Sequence, residues 1–329
     1  MDSEARLRRR EASRRAARRR RVTAALVVGS VALAVVVVIA ASGGGTPSPP
    51  SHADSSSSAA AGVGTAAGGA GSTAAGGGSA TSSTAGTSGP ARGTAVPILM
   101  YHVIAAPPPG APFPGLYVTP SEFAAQMHAL RDAGWRPTTL DQLDASWHGA
   151  GHLGAGKPVV LTFDNGYQSQ YTQALPVLRS LGWVADENIQ LSGLPPSQGG
   201  LGEAEVREMI AAGWELDTQG FSHADLVALD SEQLHYQVAV ARETLQRRYH
   251  VPVNWFCYPS GHYDATVIAA VRAAGYHGST TVIPGWAHAG EDPYRLHRLR
   301  VLGGTSPSAL LTQIASSIGE PPAPASYRA

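Results

Sequence analysis

From Val96 onward the chain predicts an α/β fold built on a parallel sheet, closed or nearly closed into a barrel. Three observations carry that expectation. Short β-type runs alternate with amphipathic helical stretches along the rest of the chain. One central run, PVVLTF (158–163), is apolar but for Thr162, as expected of a strand covered on both faces. A polar turn follows it directly, at the strand end where such folds place their chemistry.

The elements follow in order. VPILMYHVI (96–104) reads as the first strand. In TPSEFAAQMHALRDAGW, Thr119 is an N-cap, Pro120 takes the first helical position and Glu122 closes a capping box, with Phe123, Met127 and Leu130 on one face. After PVVLTF, Tyr171, Leu175, Leu178 and Leu181 trace the next helix. A helix over 203–212 precedes a strand over 215–218, a helix over 231–248 precedes a strand over 253–258, and a helix over 264–274 precedes a strand near Ser279. The domain is expected over 96–318, with 319–329 a disordered tail.

The segment before Val96 has a different character. The first 21 residues carry ten arginines against Asp2, Glu4 and Glu11, a net +7, so the zero formal charge of the 329-residue chain hides a remainder of −7. That polarity excludes a uniformly basic nucleic-acid binder. Residues 22–41 form an uncharged run of 20 in which only Thr23, Gly29 and Ser30 are not plainly apolar. As a helix it is about 30 Å long, enough to span a bilayer. It exceeds the roughly 7 to 15 residues of a signal-peptide core, so it reads as an uncleaved anchor. The arginines keep the N-terminus cytoplasmic, which puts the following chain outside the plasma membrane. Residues 42–95 are nearly all Gly, Ser, Ala, Thr and Pro and read as a disordered tether with a root-mean-square span of about 40 Å.

Three segments could carry chemistry. LTFDNGYQSQY ends a strand at Phe163 and delivers Asp164, Asn165, a turn glycine Gly166 and Tyr167; a general base or metal ligand fits there, and so does an ordinary Asp-Asn-Gly turn. WELDTQGFSHADL ends a strand at Thr218 and sets Gln219 four residues before His223. Two side chains at that spacing can converge on one ion. NWFCYPSGHYD ends a strand at Tyr258, turns at Pro259 and Gly261, and presents His262 and Tyr263; aromatics at a barrel mouth can stack on a sugar ring or plug the barrel. A lone Cys257 excludes an intramolecular disulfide and a Cys-rich zinc site. Asp186 and Glu187, near another strand end, could serve as replacement carboxylates, and solvated surface acids are the preferred reading.

Taken together, PILMYHVI, LTFDNGY with ALPVLRSLGW, LGEAEVREMIAAGWELDTQGFSHADL, WFCYPSGHYD with AGYHGSTT, and DPYRLHRLRV resemble the polysaccharide deacetylase family of NodB-homology type, a family of carbohydrate esterases. The resemblance implies a distorted (β/α) barrel and hydrolysis of the acetamide of N-acetylated cell-wall or surface glycans. It implies a divalent, zinc-like metal held by an aspartate and two histidines, with a second aspartate as base. The family's TFDDG pattern matches Thr162 to Gly166, which makes Asp164 the base and puts Asn165 at the metal aspartate. The H-x-x-x-H pattern matches Gln219 to His223, so Gln219 replaces one histidine and His223 keeps the other. The YP turn matches Tyr258 and Pro259, whose backbone would hold the oxyanion. Tyr167, Pro259 and Tyr263 are the expected substrate contacts. Three readings stay open: Asn165, Gln219 and His223 hold an ion weakly, helped by His102 or His262; Asp164 works without metal; or catalysis is lost and glycan binding kept. Hydrolase leads, with a glycan-binding module as the alternative.

Overall fold

A computed structural model describes residues 93–192, 194 and 199–328. The expected arginine-rich tail (1–21), the membrane span (22–41) and nearly all of the tether (42–95) lie outside the described residues. Within the described residues no helix is long and apolar enough to cross a membrane.

The strands are β1 (Val96–Tyr101), β2 (Trp135–Thr138), β3 (Lys157–Asn165), β4 (Asp186–Ile189), β5 (Glu215–Thr218), β6 (Trp255–Cys257), β7 (Gly278–Thr280), β8 (Trp286–Ala287) and β9 (Leu299–Arg300). Between and after them run α1 (Pro120–Asp132), α2 (Leu140–Trp147), α3 (Leu175–Leu181), α4 (Glu203–Ala211), α5 (Ser231–His235), α6 (Ala241–Tyr249), α7 (Ala265–Ala273) and α8 (Pro307–Ser316). α3 is preceded by a π turn, and another joins α5 to α6.

The sheet runs β7-β6-β5-β4-β3-β1, with β2 beside the start of β3 and with β8 and β9 on the far edge of β1. Every pairing is parallel except β1 with β8. The sheet is curled, and its ends are tied through the segment before β9: the Thr281 N–H donates to the Leu296 carbonyl, and the Leu296 N–H donates to that of Ser279.

The expected capping box is present, because the Thr119 hydroxyl accepts from the Glu122 N–H and the Glu122 carboxylate accepts from the Thr119 N–H at 2.8 Å. β2, α2, β8, β9 and α8 had no counterpart in the sequence reading. Their runs are short or lack a clean apolar period, and tertiary pairing decides them. Two expectations are corrected. Residues 319–328 are not a loose tail: Tyr327 pairs with Tyr263 in a two-way backbone bridge, and the Tyr263 hydroxyl donates to the Pro324 carbonyl at 2.8 Å. The segment stays because Ala323 and Tyr327 bring apolar surface back to the barrel wall. Asp186 and Glu187 are not solvated either, being 0% and 2% exposed, since β4 is covered on both faces.

Alternation sorts the barrel residues. Outward, Leu99, Tyr101, Leu161 and Phe163 join Phe123, Leu175 and Trp214 in the main core. Inward, Thr162, Asp164, Asn188 and Cys257 meet in a polar lumen. α2 lies across the amino ends of the strands. Its first N–H groups donate to Asp186 and Glu215, the first residues of β4 and β5, and the Trp147 indole reaches the Thr94 carbonyl ahead of β1. Leu140, Leu143, Ile98, Val160 and Trp255 close that end with an apolar plug, so access is confined to the carboxyl ends.

Candidate active site

A cavity of about 700 Å³ opens at the carboxyl ends of the strands. His102 enters it after β1, Asp164 and Asn165 from the end of β3, Gln219 and His223 after β5, Tyr258 and His262 after β6, and Tyr167 from the β3 turn. The sequence reading is thus gathered into one place for these eight residues. Pro259 and Tyr263 do not reach the cavity surface. Tyr263 is 1% exposed, stacks behind Tyr258 with ring centroids 4.9 Å apart, and anchors the returning C-terminal segment.

The turn after β3 explains why its side chains point into the lumen. Gly166 sits at φ 86°, and a Cβ there would come within 2.7 Å of Ile189, so only glycine lets β3 turn against β4. Asn165 also has positive φ, 81°, a conformation asparagine tolerates better than most residues. Its Nδ2 donates to Gln190 Oε1 at 2.8 Å, and Gln190 Nε2 donates to the Ser192 carbonyl.

Asp164 is the most tightly held group. Arg298 donates to both its oxygens, Nη1 to Oδ1 at 2.7 Å and Nη2 to Oδ2 at 2.9 Å, and Asn188 Nδ2 adds a third bond at 2.9 Å. Both residues of the pair are 1% exposed. Burial by itself would raise the Asp164 pKa, but the Arg298 charge, helped by His102 and Asn188, outweighs it and holds the carboxyl down at about 2. His102 Nε2 lies 3.8 Å from Asp164 Oδ2. Desolvation pulls its pKa down to about 4 against the attraction of Asp164, so the imidazole is neutral near pH 7. Burial likewise lowers His223, raises Tyr167 to about 12 and raises the Cys257 thiol to about 12. Cys257 Sγ, 3.5 Å from Asp164, is therefore a thiol rather than a nucleophilic thiolate. The net result is one carboxylate, already compensated by the Arg298 guanidinium, in a cavity whose lining also includes Arg300.

The sequence reading gave Arg298 no role. Its one visible signal is alternation in LHRLRV, which puts Leu296, Arg298 and Arg300 on the same side of the chain. Arg298 points into the lumen and also donates to the Thr281 carbonyl and to Thr162 Oγ1, while Arg300 lines the cavity. Phe113 was missed too. It stands at the cavity rim, 77% exposed, with φ 55°.

The backbone around Tyr258 is largely committed. Its N–H donates to the Thr280 carbonyl at 3.4 Å, the N–H groups of Gly261 and His262 donate to the carbonyls of Tyr258 and Pro259, and its hydroxyl donates to the Tyr294 carbonyl at 2.9 Å. As for a zinc centre, Asn165, Gln219 and His223 offer two neutral amide oxygens and one imidazole, and the Gln219 Oε1 is buried with no partner. The carboxylate of Asp164 is taken by Arg298. Without carboxylate charge or a second imidazole, this donor set does not fit a tightly held zinc ion. His262 Nδ1 is 3.1 Å from Asp225 Oδ1, and Arg328 donates to Asp225 Oδ2.

Residues 154–279 match the family model described as polysaccharide deacetylase. The chain is 32% identical over 232 residues, 70% of its own length and 78% of the relative's, to YxkH of Bacillus subtilis, a protein named for the same family. A shorter stretch of 68 residues, 21% of this chain and 10% of the relative, is 40% identical to the poly-β-1,6-N-acetyl-D-glucosamine N-deacetylase of Escherichia coli. Among solved structures, the deacetylase PplD of Streptococcus pyogenes in complex with acetate superposes with a TM-score of 0.62 at 26% identity, over 70% of this chain and all of that one. The polysaccharide deacetylase BC0361 of Bacillus cereus gives 0.60 at 26% identity, over 67% and 69%.

Proposed function

Because the chain belongs to the polysaccharide deacetylase family, we propose that it hydrolyses the acetamide of an N-acetylated glucosamine polymer at the cavity that holds Asp164. The observation that carries this reading is an ionised, buried carboxylate at the base of an open cavity lined by hydrogen-bonding groups, with Arg300 as a further charge in the lining. Such a lining offers an acetamido sugar both hydrogen-bond donors and acceptors. The E. coli relative is named for such a polymer, and the S. pyogenes deacetylase was solved with acetate.

In this reading water attacks the acetamide carbonyl and Asp164 accepts its proton. The C–N bond then breaks, the proton passes to the departing amine, and acetate leaves. Arg298 keeps Asp164 ionised and fixes its direction. Tyr167 and His223, both held in their neutral hydrogen-bonding forms, face the same cavity and would orient the substrate. The exposed ring of Phe113 would stack on a sugar at the rim.

The test is acetate release from N-acetylglucosamine oligomers by the wild type and by Asp164→Asn, which keeps the side-chain shape. Release that is lost in the variant supports the proposal, and release that survives unchanged overturns the role of Asp164. The weak ligand set at Asn165 and Gln219 favours a second reading, a glycan-binding module. Under it the chain would sediment with insoluble polymer and release no acetate.

The site of action belongs to the same proposal. An uncleaved helix over 22–41 would anchor the chain in the plasma membrane, N-terminus inside and catalytic domain outside, on the tether of 42–95. The support is the apolar run and the arginines before it. Protease added to intact cells should then degrade the domain; full protection would place it inside.

A further inference from the structure

The polar lumen continues past the active site toward the amino ends of the strands, and there it holds a second cluster that the proposed reaction does not use. Asp186 opens β4, and Glu215 and Asp217 share one face of β5. The strand register pairs Asp186 with Glu215 and Asn188 with Asp217. One carboxylate oxygen from each acid lies within 4.8 Å of the others.

The partners of these acids show what each oxygen is doing. One oxygen of each is satisfied by backbone: Asp186 Oδ1 accepts from the Leu140 N–H at 2.8 Å, Glu215 Oε2 from the Asp141 N–H at 3.0 Å, and Asp217 Oδ1 from the Trp255 N–H at 2.9 Å. These bonds fix the direction of all three groups. The second oxygen of each, Asp186 Oδ2, Glu215 Oε1 and Asp217 Oδ2, is buried and has no hydrogen-bond partner. Asp186 and Asp217 are both 0% exposed. Among the described residues none of the three acids forms an ion pair with Lys, Arg or His. The neighbouring Asp141 is separately satisfied by Asn254 Nδ2 and the Trp255 indole N–H. Three clustered acids, each with one oxygen fixed by backbone and one buried without a hydrogen-bond partner, and with no basic partner, are costly to ionise unless something positive sits between them.

We infer that Asp186, Glu215 and Asp217 form a binding site for one hard divalent cation of the magnesium or calcium class, separate from the deacetylase cavity. The donors are all oxygen, which selects hard cations over zinc. A fourth oxygen, Asn188 Oδ1, is also buried without a partner, and register places Asn188 opposite Asp217. The ion would tie α2, β4 and β5 together at the closed end of the barrel. Because Asn188 also donates to Asp164, it would brace the floor of the active site.

The test uses the full chain, stripped with chelator and then equilibrated separately with Mg2+, Ca2+ or Mn2+. Bound metal is counted by elemental analysis and thermal unfolding is followed. The wild type should retain one equivalent of one of these ions, and a saturating concentration, about a hundredfold above the dissociation constant, should raise the unfolding midpoint by about 5 to 10 °C. Asp217→Asn keeps the acceptor for the Trp255 N–H and should lose the ion and the midpoint rise, as should Glu215→Gln. His223→Ala should keep both, which separates this site from the cavity. A folded wild type that takes up none of the three ions overturns the inference, and so does loss of the ion in His223→Ala with retention in Asp217→Asn.

Discussion

At the carboxyl end of the lumen Asp164 meets Arg298 through bonds of 2.7 and 2.9 Å, whereas toward the amino end Asp186, Glu215 and Asp217 lie together, each accepting from a backbone N–H and none paired with a basic side chain among the described residues. Asp164, Asp186 and Asp217 are all 1% exposed or less. The consequence for protonation is opposite: the guanidinium holds Asp164 down at about 2, while burial and the nearby Asp141 push Glu215 up to about 8, and burial with repulsion from Glu215 raises Asp186 and Asp217 well above the carboxylate range. Burial therefore does not decide the charge of a carboxylate here; the partner supplied by the fold does. One end is built to keep a charge exposed to substrate, and the other to receive a charge from outside.

The sharpest way to break this contrast is to remove the compensating cation. Arg298→Met leaves Asp164 buried and unpaired, and should cost about 3 to 5 kcal/mol of stability in urea unfolding. Asp217→Asn in the presence of chelator removes one repelling acid instead, and should cost nothing or add stability. Equal losses in the two variants would erase the distinction between the ends.

A second effect of about 3 kcal/mol belongs to His102, whose folded pKa of about 4 lies below its ordinary 6.5. Between those values the unfolded chain binds the proton and the folded chain does not, so stability is full above pH 6.5 and drains as pH falls toward 4. His102→Asn should flatten that part of the profile when unfolding free energy is measured from pH 8 to pH 4. A profile unchanged by the substitution would show that His102 is not held neutral.

Restoring ligands at the mouth sharpens the comparison from the other side. Asn165→Asp with Gln219→His supplies a carboxylate and a second imidazole, and aspartate tolerates the positive φ at 165. Zinc affinity measured by competition with a chelating dye should rise about 100-fold or more over the wild type. Comparable zinc affinity in both forms would mean that Asn165 and Gln219 do not address the ion.

The smallest expected effect is at the rim. Phe113→Ala should weaken association with N-acetylglucosamine oligomers by about 0.5 to 1.5 kcal/mol in titration calorimetry. The fold should be untouched, since the ring is 77% exposed.

The sequence by itself determined what short-range physics can carry. Thr119 and Glu122 cap α1 from three residues apart, PVVLTF is a covered strand wherever it sits, and the strand-to-turn step at Asp164, Asn165 and Gly166 aims its side chains without outside help. Gln219 and His223, four residues apart, reach the same cavity for the same local reason. Only the tertiary structure decided the electrostatics. Arg298 lies 134 residues from Asp164, and no local pattern says that its guanidinium turns inward to grip that carboxylate. Asp186 looked like a surface acid because β4 is only four residues long, and its burial follows from β3 on one side, β5 on the other and α2 across the end. Nor does YRA at the end of the chain announce that Tyr327 will pair with Tyr263. A charge's pKa depends on who stands within a few ångströms of it, and in a barrel those neighbours come from strands far apart along the chain.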